Sequence, residues 1–218
     1  MSGPPPNPEA LAMVARLGAV PAPIARAMER VPRHRFIAPI DRVWAYEDRP
    51  IPIEGVAATV SAPHMIAVHL AAARLAPGIR VLEAGSGSGY LAALLAELVR
   101  PGGRVVGVEI EPVLAGRSRA RLAELGYGET VTIREGDALD GAPDLGPFDR
   151  ILGSFAVDGI PPTWRAQLAF GGLVIAPVGG ASHQRLETFG PGPDPVATGP
   201  DCRFVPAQRP RAPIYRPS

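Results

Sequence analysis

The chain has 218 residues, 46% of them hydrophobic, with 22 basic and 21 acidic side chains and a net charge of +1. That is ample for one core, and it lacks the basic stripe that nucleic-acid binding needs. The lone Cys202 excludes an internal disulfide, the four histidines show no metal-ligand spacing, and no apolar run reaches the length of a membrane span, so a reducing cytoplasm is expected. Residues 1–8 lack the layout of a secretory signal, and Pro4-Pro5-Pro6 reads as a frayed leader.

In chain order, Ala10, Leu11, Val14 and Leu17 recur at helical spacing, and Pro21-Ala22-Pro23 opens a second helix to about Arg30. Residues 46–60 read as a proline-broken loop, and a helix follows from Pro63 to Leu75 with Met65, Val68, His69, Ala72 and Leu75 on one face. An apolar run, Ile79 to Leu82, then climbs into Glu83-Ala84-Gly85-Ser86-Gly87-Ser88-Gly89-Tyr90 and a helical stretch to Val99. Strand, glycine turn and helix in that order make the ligand corner of a Rossmann-like sheet. Tyr90 stands where a dinucleotide fingerprint needs its third glycine. G-x-G-x-G after an acid is instead the first motif of S-adenosylmethionine-dependent methyltransferases.

Three more strands fit that corner. Arg104 to Glu109 ends in a carboxylate twenty residues after Gly89, placed to accept from both ribose hydroxyls. Thr130 to Arg134 leads to Gly136-Asp137, where the acid can accept from an adenine amino group, and Phe148 to Ser154 is a further apolar strand. A short helix (162–168), a strand (171–179) and two antiparallel strands (183–189 and 202–205), joined by a Gly/Pro-rich loop over 190–200, complete the pattern. Residues 207–218 carry too many prolines and arginines to pack regularly. The expected architecture is α/β: a Rossmann-like, mostly parallel twisted sheet with helices on both faces. We expect one domain, with a helical substrate-side segment (8–60), a cofactor core (61–180), C-terminal strands (181–206) and the tail (207–218).

Motifs outside that core narrow the reading. Val31-Pro32-Arg33-His34-Arg35-Phe36, Ala45-Tyr46-Glu47-Asp48 with Pro50-Ile51-Pro52-Ile53, Ala58-Thr59-Val60-Ser61-Ala62-Pro63-His64-Met65 and Phe204-Val205-Pro206 resemble signatures of the protein-L-isoaspartate (D-aspartate) O-methyltransferases. The resemblance covers roughly residues 11–206 and implies a class I methyltransferase fold, S-adenosyl-L-methionine as cofactor, and methylation of an aspartyl-derived carboxylate in a peptide or protein. Ser61 is the residue it marks for orienting the substrate carboxylate, although its hydroxyl is also suited to capping the helix that starts near Pro63. Thr59, Val60 and Ser61, Glu83 with the turn Gly85, Ser86, Gly87, Ser88 and Gly89, and Glu109, Ile110, Gly136, Asp137 and Ala138 are the expected cofactor contacts. Tyr46, His64, Ser154 and Phe155 are expected at the substrate. Phe155 and Asp158 depart from the small residues and proline that the family usually carries there, and would bring bulk and an acid to the cleft. The expected protein is a monomer. Two alternatives remain open: a dedicated peptide-tailoring aspartate methyltransferase giving an ester or aspartimide, and a cofactor-binding module without turnover.

Overall fold

The computed structural model describes residues 7–208, so the Pro4-Pro5-Pro6 leader and nearly all of the tail lie outside the described residues. Helix α1 (Pro8–Arg16) starts at Asn7, whose side chain accepts from the Glu9 N–H at 2.8 Å, with a proline in the first turn where no amide donor is missed. It buries Ala10, Met13 and Val14 on one face, and α2 (Ala22–Arg30) buries Ile24, Ala27 and Met28 at the same spacing. Leu11, expected on the inner face, is 43% exposed; Met13 fills that position.

The stretch read as a loop over 46–60 instead contains a small antiparallel hairpin, β1 (Ile51–Pro52) and β2 (Thr59–Val60). Two-residue strands are too short to show alternation. Helix α3 (Pro63–Ala73) follows, and its buried residues include Ile66, His69, Leu70 and Ala73, while Met65, Val68, Ala72 and Leu75 are only partly buried. The buried stripe is therefore rotated from the expected one. α3 packs against strands as well as α2, and alanine-rich surroundings left its face poorly marked.

The main sheet is built from β3 (Arg80–Ala84), β4 (Arg104–Glu109), β5 (Val131–Glu135), β6 (Phe148–Gly153), β7 (Leu168–Gly179), β8 (Gln184–Phe189) and β9 (Pro195–Cys202). Their order is β5-β4-β3-β6-β7-β8-β9, parallel through β7 and antiparallel for the last two. Helices α4 (Tyr90–Val99), α5 (Pro112–Glu124) and α6 (Pro162–Ala166) lie on the crossovers. Neighbouring residues of one strand enter opposite cores: Val81, Val105, Leu152 and Ile175 join the cluster under α1 to α4, and Leu82, Val106, Ile151 and Val174 join the one around Trp164. Burial on both faces explains why these strands read as apolar runs.

The C-terminal edge departs from expectation. β9 occupies residues 195–202, mostly the stretch read as a loop, and the expected strand 202–205 is an irregular arm. Seven of β9's eight residues are exposed: it lies at the sheet edge with neither face covered. Proline and glycine are tolerated there, and no alternation betrays it. Among the described residues, no helix is long and apolar enough to cross a membrane.

Candidate active site

The strand order reverses direction between β3 and β6, the place where α/β sheets open a crevice at their carboxyl edge. There the chain leaves β3 through Gly85, Gly87 and Gly89, with φ of 85°, 53° and 85°. Packing asks for glycine as well. A Cβ on Gly85 would lie 2.7 Å from the Phe155 ring, and one on Gly89 would lie 2.4 Å from Ser118 Oγ.

The turn borders a cavity of about 540 Å³, the size of a small-molecule site. Thr59, Val60, Ser61 and His64 reach its wall from β2 and the start of α3, and Glu83, Gly85, Ser86, Gly87 and Ser88 from the turn. Glu109 and Ile110 reach it from the end of β4, Ala138 from beyond β5, and Ser154 and Phe155 from the end of β6. Four expected contacts are not on the wall. Gly89 turns away beneath α5, and Gly136 and Asp137 sit behind Ala138; Asp137 Oδ1 accepts from the Leu139 N–H at 2.9 Å, in its own turn. Tyr46 is buried elsewhere, its hydroxyl 2.7 Å from His34 Nδ1 and 3.1 Å from Asn7 Nδ2. Asp158 is exposed and off the wall, so the expected acid does not enter the cleft, whereas Phe155 does, edge-on to Trp164 at 5.9 Å.

Glu109 is fixed before any ligand arrives. Its Oε2 accepts from the Gly87 N–H at 2.7 Å and its Oε1 from the Glu111 N–H at 3.1 Å. A carboxylate has about four acceptor positions, so two remain for a vicinal diol. Glu83 is 1% exposed, and its Oε2 has no partner. Burial, reinforced by the charge of Glu109, holds its pKa well above the usual carboxylate range against the opposing effect of Ser154. Ser86 Oγ is likewise buried without a partner. Buried polar atoms are normally satisfied, so unpaired ones on a cavity wall point to a ligand with polar groups of its own.

Ser61 makes no side-chain hydrogen bond to any described residue, and Ala62, which precedes α3, has no side chain that could cap it. The capping role weighed for Ser61 is thus not the one it plays. Asp48 supplies that contact from a distant loop: its Oδ1 accepts from the His64 N–H at 2.9 Å, and its carboxylate also holds the His64 ring. His69 is buried on the cavity wall with Nε2 3.3 Å from the Ile175 carbonyl, and burial pushes its pKa down to about 4, so it is neutral at physiological pH.

Sequence reasoning missed two parts of this wall and the residue that clamps one of them. His69, which the sequence only places on one face of its helix, lines the cavity. Arg203 and Phe204 close the cavity from the C-terminal arm, with Phe204 edge-on to His69 at 6.2 Å. Gln184 clamps that arm, accepting from the Phe204 N–H at 2.7 Å and donating to its carbonyl at 3.2 Å. Only the Phe204-Val205-Pro206 motif signalled the arm. Nothing in the sequence singles out Gln184.

Comparison with known proteins agrees with this geometry. A solved protein-L-isoaspartate O-methyltransferase superposes with a TM-score of 0.82 at 30% identity, over 92% of this chain and 65% of its own. A Plasmodium falciparum structure assigned to the same activity, holding S-adenosyl-L-homocysteine, gives 0.78 at 25% identity over 91% and 98%. The protein-L-isoaspartate O-methyltransferase of Gloeobacter violaceus is 45% identical over 190 residues, 85% of this chain and 90% of the relative. That of Ignicoccus hospitalis is 46% identical over 155 residues, 71% and 72% of the two chains. The sequence model of the protein-L-isoaspartate(D-aspartate) O-methyltransferases matches residues 13–210, which extends the likeness from the cofactor corner to the N-terminal helices and the C-terminal arm; the chain belongs to that family.

Proposed function

We propose that this protein is an S-adenosyl-L-methionine-dependent carboxyl O-methyltransferase acting on isoaspartyl carboxylates in peptides and proteins. The observation that carries the reading is the pairing, on one cavity wall, of a pre-fixed Glu109 with a Ser61 hydroxyl that nothing else occupies. The residues fit the cofactor. Glu109 has acceptor capacity left for the ribose, Ile110 and Ala138 offer apolar surface to the base, and the unpaired Glu83 and Ser86 face the remainder. Gly136 and Asp137 act indirectly, by shaping the turn that presents Ala138. When bound, the cofactor supplies an electrophilic sulfonium methyl group.

What the chain itself must do is modest. A carboxylate with a pKa of about 4 is ionised at neutral pH, so no general base is required. Ser61 donates to that carboxylate and turns one oxygen toward the cofactor side of the cavity. His64, Ser154 and Phe155 bound the space around it and exclude water. Alignment of this kind can supply ~7–11 kcal/mol of barrier reduction. Tyr46 serves the substrate side from a distance, as part of the packing that carries Asp48. We take the protein to act as one domain and as a monomer, in the cytoplasm, with no nucleic acid or membrane partner.

The test is methyl-ester formation on an isoaspartyl peptide, its aspartyl twin and a no-peptide control. Ester on the isoaspartyl peptide alone is expected. Ester only on an aspartyl peptide would favour a dedicated tailoring enzyme, and ester on neither would leave a binding module.

A further inference from the structure

The Val31-to-Phe36 motif contributes nothing to the cavity wall, yet it holds a cation in the protein interior. Arg33 is completely buried and pairs with no carboxylate among the described residues. Its Nε donates to the Ala45 carbonyl at 2.8 Å and its Nη2 to the Ser61 carbonyl at 2.9 Å, while Nη1 has no partner. The guanidinium lies 5.0 Å from the centre of the Tyr90 ring. Burying a cation without a counter-ion is costly, and packing alone would be served better by an apolar side chain. What an arginine adds is a rigid fork that donates in two directions and stacks on a ring at once.

The three groups it touches belong to different parts of the site. Ser61 is the substrate side, and Tyr90 is the first helical residue after the glycine turn, the cofactor side. Ala45 leads into Asp48, which caps α3. A second strut comes from the same motif. Phe36 packs on Tyr90 at 5.4 Å, and Arg121 lies over Phe36 at 5.7 Å while donating to the Ser88 carbonyl within the turn at 3.2 Å.

We propose that Arg33 is a positioning residue for methyl transfer: it sets the Ser61 segment at a fixed separation from the glycine turn, and so holds the substrate carboxylate in line with the cofactor. The inference rests on the function proposed above. Arg33 touches neither reactant, so its loss should act on turnover far more than on binding.

The experiment compares the parent with Arg33→Lys and Arg33→Met in the full chain, well below each variant's melting temperature. Single-turnover rate on an isoaspartyl peptide, peptide KM and S-adenosylhomocysteine affinity are measured on the same preparations. Both variants should lose roughly tenfold or more in rate per folded molecule, since a misplacement of about 1 Å can cost on the order of a hundredfold. Peptide KM and cofactor affinity should stay within about threefold of the parent on the same argument. Lysine keeps the charge but not the fork, so it should not rescue; if the methionine variant does not fold, lysine carries the test. Parental rates in a less stable variant would overturn the proposal, as would a loss of cofactor affinity equal to the loss of rate. A parent that makes no ester would overturn the functional reading itself, whereas an active parent with an equally active lysine variant would overturn only the role of Arg33.

Discussion

At the level of single residues, the site separates groups that hold the cofactor from one that addresses the substrate. Ser61→Ala should lower turnover by roughly ten- to a thousandfold, the effect of ~2–4 kcal/mol from one positioned donor. Cofactor affinity should hold within about threefold, because that donor addresses the substrate. Melting temperature should also hold, since Ser61 caps nothing; a full-speed variant would remove it from catalysis. Glu109→Ala should weaken S-adenosylhomocysteine binding by roughly ten- to a hundredfold, ~1–3 kcal/mol for acceptors withdrawn from buried hydroxyls, measured by calorimetry. Glu83 should show itself through pH. The fold favours its protonated form, so its contribution to stability is complete below its ordinary pKa of 4.5 and is lost as pH rises toward the raised folded value. Glu83→Gln lacks that loss, so its melting temperature relative to the parent should climb from about pH 4.5 upward. A pH-independent difference would mean that Glu83 is not a buried acid. Glu109 was legible from its spacing after the glycines. The distance of Asp137 from the wall was not, because a Gly-Asp turn looks the same whether its carboxylate faces a ligand or its own backbone.

At the level of elements, the structure shows why some strands announced themselves and others did not. β3, β4, β6 and most of β7 are covered on both faces and read as apolar runs. β9, with both faces and one edge in solvent, reads like a loop. The hairpin of β1 and β2 is too short for any period. The start of α3 at Pro63 was legible, but its capping partner was not: the contact comes from Asp48, sixteen residues before His64, so no local capping signal exists. Asp48→Ala should therefore cost ~0.5–2 kcal/mol, and Asp48→Asn, which keeps an acceptor, much less. For a chain of this size that is a melting-temperature drop of roughly 1–8 °C, read by calorimetric scanning. An unchanged midpoint would mean that α3 draws nothing from that contact.

At the level of the whole molecule, the reversal of strand order places the ends of β3, β4 and β6 around one crevice, while the N-terminal segment and the C-terminal arm wall it from outside the sheet. Val205 and Ala207 bond to Ala156 just past β6, and Gln208 reaches the Ala57 carbonyl across the cavity mouth, so the arm is tied to both banks. A ligand in that cavity touches the glycine turn, the ends of β4 and β6, the hairpin and the arm together. Binding should then stabilise the fold as a unit rather than one loop. A ligand that binds only the native state adds RT ln(1 + [L]/Kd), ~2.7 kcal/mol at a hundredfold excess over its dissociation constant. For a domain of about 200 residues, each kcal/mol raises the midpoint by roughly 2–4 °C, so S-adenosylhomocysteine should raise it by about 5–11 °C in a single transition. NAD should leave the midpoint where it is, because Tyr90 occupies the position of the third glycine that a pyrophosphate-binding turn needs. A shift with NAD and none with S-adenosylhomocysteine would overturn the assignment of the crevice. A split transition in which only part of the chain gains stability would show that the arm and the N-terminal segment are not coupled to the site they wall.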